Sequence, residues 1–261
     1  MTDQSSIAAP RRLDRPGGHT VAYHATPGKS PGVVFCGGFA SDMTGAKAIA
    51  LDAFCRGEGR AYVRFDYLGH GASSGKFEQG TIGRWADDAI AVIDAATEGP
   101  LVLVGSSMGG WIMLLAALAR PARVCGLVGS AAAPDFTEDL VRNLFDDAQR
   151  AALMRDGVVQ VPSDYDEEPF AITRALIEDG REHLLLHAPI PITCPVRLIQ
   201  GMNDADVPWE TVLRIAERLE SGDVEVTLVK GGNHRLSEPG DLARLCRAVT
   251  AVLDAAAETP A

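Results

Sequence analysis

Short apolar runs alternate along the chain with longer stretches in which apolar positions return every three or four residues. The runs at 33–36, 61–65, 101–104, 124–128, 196–199 and 224–229 have the length of strands. The stretches at 45–55, 82–96, 108–119, 210–219 and 241–255 carry the helical period. Strands and helices in regular alternation predict a mainly parallel sheet with helices on both faces. Pro121 stops the third helix, and Pro239 stands where the last should begin. No internal repeat or low-complexity tract interrupts the pattern, and 255–261 reads as a frayed tail.

One stretch breaks the alternation. Residues 135–191 are acidic and helix-like, with an extended Val158-Val159-Gln160-Val161-Pro162 inside them, and they fall between two core strands. An insertion there rises over the carboxyl ends of the strands, where such sheets bind ligands, so it reads as a cap. The division expected is an N-terminal arm at 1–18, a core at 19–134 and 192–261, and the cap at 135–191.

Composition narrows the function classes. At 261 residues, 46% hydrophobic and 23% charged, the chain has the balance of an ordinary globular domain. A net charge of −11 argues against a nucleic-acid surface, which needs clustered cations. Five cysteines with no CxxC pair suggest a reducing compartment. The apolar run at 111–119 is too short to span a bilayer, so no stable membrane insertion is expected. The first eighteen residues carry Arg11, Arg12 and Arg15 but no apolar stretch, and Asp3 and Asp14 are unlike a mitochondrial transit segment. Cytoplasm is therefore the expected location.

The sharpest chemical signal is Gly105-Ser106-Ser107-Met108-Gly109-Gly110, between the run at 101–104 and the helix at 108–119. A serine on such a strand-to-helix turn takes a strained backbone that pushes its hydroxyl outward. Ser107 has glycine two residues away on both sides and Ser106 does not, so Ser107 is the candidate nucleophile. A serine hydroxyl needs a base to take its proton. Of six histidines, His234 stands between the last strand and the last helix, as the order nucleophile, acid, histidine requires. His19 and His24 read as surface residues and His70 as a loop brace, while His183 and His187 end the insertion. Asp204 and Asp206 both follow the strand at 196–199. Asp204 is preferred as the histidine's carboxylate from its spacing to Val207-Pro208, and Asp206 reads as a cap or turn residue. Backbone N–H groups of Met108 and of Phe39, in Gly37-Gly38-Phe39, are the expected oxyanion donors. Phe39, Trp209 and His187 are candidate substrate contacts, whereas Trp111 reads as core. No histidine or cysteine spacing suggests a metal ligand set, and no cofactor is expected.

These strings, with Arg64-Phe65-Asp66-Tyr67-x-Gly69-His70-Gly71-x-Ser73-x-Gly75, resemble the α/β-hydrolase superfamily through nearly the whole chain. The segments at 105–111, 187–191 and 201–209 are similar to mitochondrial abhydrolase-domain serine esterases, which act on palmitoylated proteins and acyl glucuronides. The resemblance implies an α/β-hydrolase fold and acyl transfer to water from small acyl esters or thioesters, with acylated protein as a further substrate. It also implies Ser107, Asp204 and His234 as the triad. Two departures stand out: no transit segment is recognisable, and Asn233 replaces an acidic neighbour of the histidine. Two other readings stay open. A serine peptidase of the prolyl aminopeptidase kind would use the same triad, with Glu167-Glu168 to grip a free amine. A ligand-binding descendant would bind without turnover.

Overall fold

The sheet runs through β1 (Arg11–Asp14), β2 (Thr20–Thr26), β3 (Lys29–Cys36), β4 (Arg60–Phe65), β5 (Leu101–Ser106) and β6 (Val124–Ser130). After a ribbon of β7 (Val158–Val161) and β8 (Phe170–Thr173), β9 (Val196–Gly201) and β10 (Val224–Val229) rejoin it. This computed structural model describes residues 9–139, 141, 145–162 and 169–258. The spatial order is β1-β2-β4-β3-β5-β6-β9-β10. Strands β4 to β10 of that sheet are mutually parallel, and β1 and β2 pair antiparallel at one edge. The sheet is thus mostly parallel, as expected. The antiparallel edge was not foreseen. Arg11–Asp14, in the expected arm, carries a polar and mostly exposed pattern with no apolar run to announce a strand.

The helices are α1 (Ala46–Gly57), α2 (Ile82–Ala96), α3 (Met108–Ala119), α4 (Phe136–Asp139), α5 (Asp147–Asp156), α6 (Arg174–Arg181), α7 (Glu210–Arg218) and α8 (Pro239–Glu258). Alternate strand residues point to opposite faces, and the core divides accordingly. Val34, Cys36, Leu101 and Leu103 join α2, α3 and α7 in one buried cluster. Val33, Phe35, Val102 and Val104 join α1 and α8 in the other. Helix α8 continues to Glu258, past the position where fraying was expected, because Val249, Val252 and Leu253 anchor it to the sheet.

Chain leaves β3 for α1 on one face and β5 for α3 on the other. The carboxyl ends of these adjacent parallel strands therefore open a crevice, the position where doubly wound sheets bind ligands. The insertion between β6 and β9 contains α4, α5, the β7–β8 ribbon and α6. Asp135 ties its two ends together: its carboxylate accepts the N–H groups of Leu185 at 2.8 Å and Leu186 at 2.9 Å. Helix α5 begins on a capping box, with Asp146 and Gln149 each bonding the other's backbone N–H. Trp111 of α3 is fully buried, as expected, and its indole N–H donates to the His183 carbonyl at 3.0 Å, joining the core to the insertion.

Candidate active site

The turn after β5 holds Ser107 at φ 54° and ψ −123°, a left-handed conformation that costs a non-glycine residue on the order of 1–3 kcal/mol. Close packing explains the flanking glycines. A methyl group on Gly105 would overlap the backbone of Gly109 and Gly110, 2.7 Å away. One on Gly109 would strike the Cys36 carbonyl carbon, 2.6 Å away. The elbow is thereby pressed against the end of β3, and the loop that follows lies beside the serine: a Cβ on Gly38 would sit 3.4 Å from that of Ser107.

Opposite, the loop after β10 places His234 with Nε2 3.0 Å from Ser107 Oγ and Nδ1 2.9 Å from Asp204 Oδ2. The carboxylate can only accept at Nδ1, which assigns the proton to that nitrogen and leaves Nε2 to accept from the serine hydroxyl. The side chain of Asp204 is fully buried. Its Oδ1 accepts the N–H groups of Asp206 at 2.9 Å and Val207 at 2.8 Å, and Gln200 Nε2 donates to Oδ2 at 2.8 Å. Burial alone would raise its pKa, but the hydrogen bond and charge of His234, with the two amide N–H groups, outweigh burial and hold the carboxyl below its usual range. Asp206 lies 4.0 Å from Nδ1 and is 39% exposed, so the nearer and better-partnered carboxylate is that of Asp204. Asn233 has a local task, since its Oδ1 accepts the N–H of Leu236, a residue at φ 41°.

The N–H groups of Phe39 and Met108 have no hydrogen-bond partner among the described residues. Both residues belong to segments packed around Ser107. Ser107 and His234 line a cavity of about 800 Å³, within the roughly 300–1,000 Å³ usual for small-molecule sites. Phe39, Pro134, Phe136, Val161, Phe170 and Ile172 give it an apolar wall, most of it supplied by the insertion. Phe39 meets Phe136 and Phe170 edge-on, each at 5.7 Å.

Two expected substrate contacts are not in this wall. His187 is exposed, in the segment that returns from the insertion to β9. Trp209 is at the N-cap of α7, and Val207 and Pro208 before it and Thr211 after it reach the cavity while its own side chain does not line it. Both were chosen from motif position, which fixes where a residue falls in the chain but not which way its side chain turns. His183 lines a separate cleft of about 400 Å³ with Arg84 and Asp87. Glu167 and Glu168 lie outside the described residues.

Gln200, which holds Asp204, escaped the sequence reading. Its signal was an uncharged polar residue closing an otherwise apolar strand end, four positions before the aspartate. Phe136 and Phe170 gave no pattern that assigns them to a pocket. Possible metal ligands converge once among the described residues, where atoms of Asp204, Asp206 and His234 lie within 4.8 Å of one another. Asp204 Oδ2 and His234 Nδ1 are already bonded to each other there.

A family model described as serine aminopeptidase, S33, matches residues 30–159. The cattle protein "Palmitoyl-protein thioesterase ABHD10, mitochondrial" is 44% identical over 243 residues, covering 93% of this chain and 79% of its own. The structure of mouse alpha/beta hydrolase domain-containing protein 10 superposes with a TM-score of 0.87 at 40% identity, covering 95% of this chain and 99% of that one. A putative hydrolase from Agrobacterium vitis gives 0.89 at 41% identity, covering 93% and 98%. The cytoplasmic expectation is corrected by these relatives, whose cattle, mouse and human members are mitochondrial. Unpaired cysteines speak to redox conditions, and a reducing environment does not name a compartment. With the α/β-hydrolase fold and this degree of identity over nearly its whole length, the chain belongs to the ABHD10 family of α/β hydrolases.

Proposed function

We propose that this hydrolase cleaves acyl ester and thioester bonds through an acyl intermediate on Ser107, with His234 as general base and Asp204 as its orienting carboxylate. The observation that carries the reading is the unbroken hydrogen-bonded line from Ser107 Oγ through His234 to buried Asp204, opening on a cavity with an apolar wall.

On this reading each step has an agent. His234 Nε2 takes the hydroxyl proton as Ser107 Oγ attacks the acyl carbonyl, and Asp204 stabilises the imidazolium across the Nδ1 bond. The oxyanion of the tetrahedral intermediate is received by the N–H groups of Phe39 and Met108, a pair in which one lost donor costs roughly 10²–10³ in rate. His234 returns its proton to the departing alcohol or thiol, then activates water to release the acid. Residues 135–191 act as a cap whose aromatic side chains hold the acyl chain. The family's palmitoyl-protein thioesterases make long S-acyl groups on protein the substrate class to test first, beside small acyl esters.

The test is a series of p-nitrophenyl esters and matched thioesters of increasing chain length, run on the wild type and on Ser107→Ala. The reading requires turnover to extend to long acyl chains and to vanish without the serine. A preference confined to the shortest chains would remove the long-acyl substrate, and activity persisting in Ser107→Ala would remove the nucleophile. The family model's aminopeptidase description favours a second reading, peptide-bond cleavage at a free amino terminus. Hydrolysis of aminoacyl-naphthylamides distinguishes it.

A further inference from the structure

The loop that supplies the Phe39 N–H is gripped from below by two residues of the turn after β4. Tyr67 donates its hydroxyl to the Gly37 carbonyl at 3.2 Å. His70 is buried, with Nε2 3.2 Å from the backbone nitrogen of Ala40 and Nδ1 3.1 Å from the Leu68 carbonyl. An amide N–H only donates and a carbonyl only accepts, so His70 carries its proton on Nδ1 and offers a bare Nε2 to Ala40. We infer that His70 is a positioning residue for acyl transfer, holding the Gly37–Ala40 loop so that the Phe39 N–H points at the oxyanion. This rests on the assignment of Phe39 as an oxyanion donor.

Three further observations support it. Ala40 is at φ 52°, a conformation that persists only where the surroundings over-determine it, and its own N–H bond to His70 is one such restraint. The platform beneath is rigid: Asp66 accepts the N–H groups of Met43 and Ala72, both at 2.7 Å. Gly69, at φ 74°, packs 2.6 Å from the Lys76 backbone when measured from an added Cβ. The imidazole is wedged between Phe77 at 5.1 Å and Trp85 at 5.2 Å, the two rings that also flank Phe39 at 4.8 and 5.9 Å. Backbone and side chain of Phe39 are thus both registered to His70. Burial pushes the histidine pKa down to about 4, so the bare nitrogen is kept through the neutral range.

The test compares His70→Leu, which removes the acceptor, with His70→Gln, which restores one on a side chain of similar reach. Expected for His70→Leu is a fall in kcat of about 10²-fold, within the range for a lost oxyanion donor, with KM changed less than about threefold. His70→Gln should recover at least tenfold of that loss. A residue serving only as packing would lower Tm in both variants and leave kcat of the folded fraction unchanged, which would overturn the inference. Ser107→Ala is run alongside: if it stays active, the functional reading itself fails, whereas a dead Ser107→Ala with undiminished His70 variants sinks only the positioning role. Should neither variant fold, ¹⁵N-histidine NMR of the native protein decides. Protonated Nδ1 and bare Nε2 at His70 support the inference, and the reverse tautomer overturns it.

Discussion

Replacing Asp204 by asparagine keeps shape and removes one charge, which makes it the sharpest probe of the triad. The amide oxygen can still accept from Val207 and Asp206, whose N–H groups lie at 2.8 and 2.9 Å. The amide NH₂ must then face two other donors, His234 Nδ1 at 2.9 Å and Gln200 Nε2 at 2.8 Å. His234 resolves the conflict by moving its proton to Nε2, the nitrogen 3.0 Å from Ser107 Oγ. The base is then turned against the hydroxyl it should deprotonate. In a trypsin-like triad this wrong tautomer costs on the order of 10⁴ in kcat, or about 5.4 kcal/mol at 1.36 kcal/mol per decade. Asp206→Asn alters a half-exposed carboxylate at 4.0 Å and should cost under about 1 kcal/mol. Initial rates on a short p-nitrophenyl ester give kcat and KM, and thermal melting shows that both variants are folded. The reasoning fails if folded Asp204→Asn stays within tenfold of wild type, or if Asp206→Asn is the more damaging change.

Stability should fall on mild acidification through His70. Burial lowers its pKa to about 4, against weaker upward pulls from the Leu68 carbonyl and Asp88. Between its ordinary value near 6.5 and about 4 the unfolded chain binds a proton that the folded chain refuses. Stability therefore rises with pH there, by about 1.4 kcal/mol per pH unit for a single group. The contribution is complete above pH 6.5. Urea midpoints of wild type and His70→Gln across that window read the difference, and parallel curves would contradict it. Gly109→Ala drives a methyl into the Cys36 carbonyl group, so kcat or Tm should collapse; a stable and active variant would refute the packing described for the elbow. Burial raises the Cys36 and Cys55 thiols to about 12, leaving almost no thiolate at pH 8. Iodoacetamide should leave hydrolysis intact, and inactivation in step with alkylation of either thiol would count against it.

How much the sequence disclosed depended on whether a feature was local. Helix α3 and the turn before it were legible because Gly105, Ser107 and Gly109 are constrained by contacts within a few residues of themselves and by β3 beside them. Chain order alone brought His234 and Asp204 to the same end of the sheet, and His70 does brace loops as its turn suggested. Features set by tertiary contact were illegible. Strand β1 lies at the sheet edge, where solvent permits its polar pattern. His19 looked like a surface residue, yet it is half-buried, 3.1 Å from the carboxylate of buried Asp88. The cavity wall of Phe136 and Phe170 is created only when the insertion folds back over the core, with Asp135 holding its ends. His187 and Trp209 lie outside that wall, because motif position does not fix which way a side chain turns.

The central claim is that an acyl group passes through the oxygen of Ser107. Intact mass and peptide mapping after brief reaction with a fluorophosphonate, and after acid quench of a long-chain thioester, test it directly. The account predicts one adduct, on the 105–110 segment at Ser107, abolished in Ser107→Ala and strongly slowed in His234→Ala. An adduct on another residue, or undiminished turnover by Ser107→Ala, would contradict it.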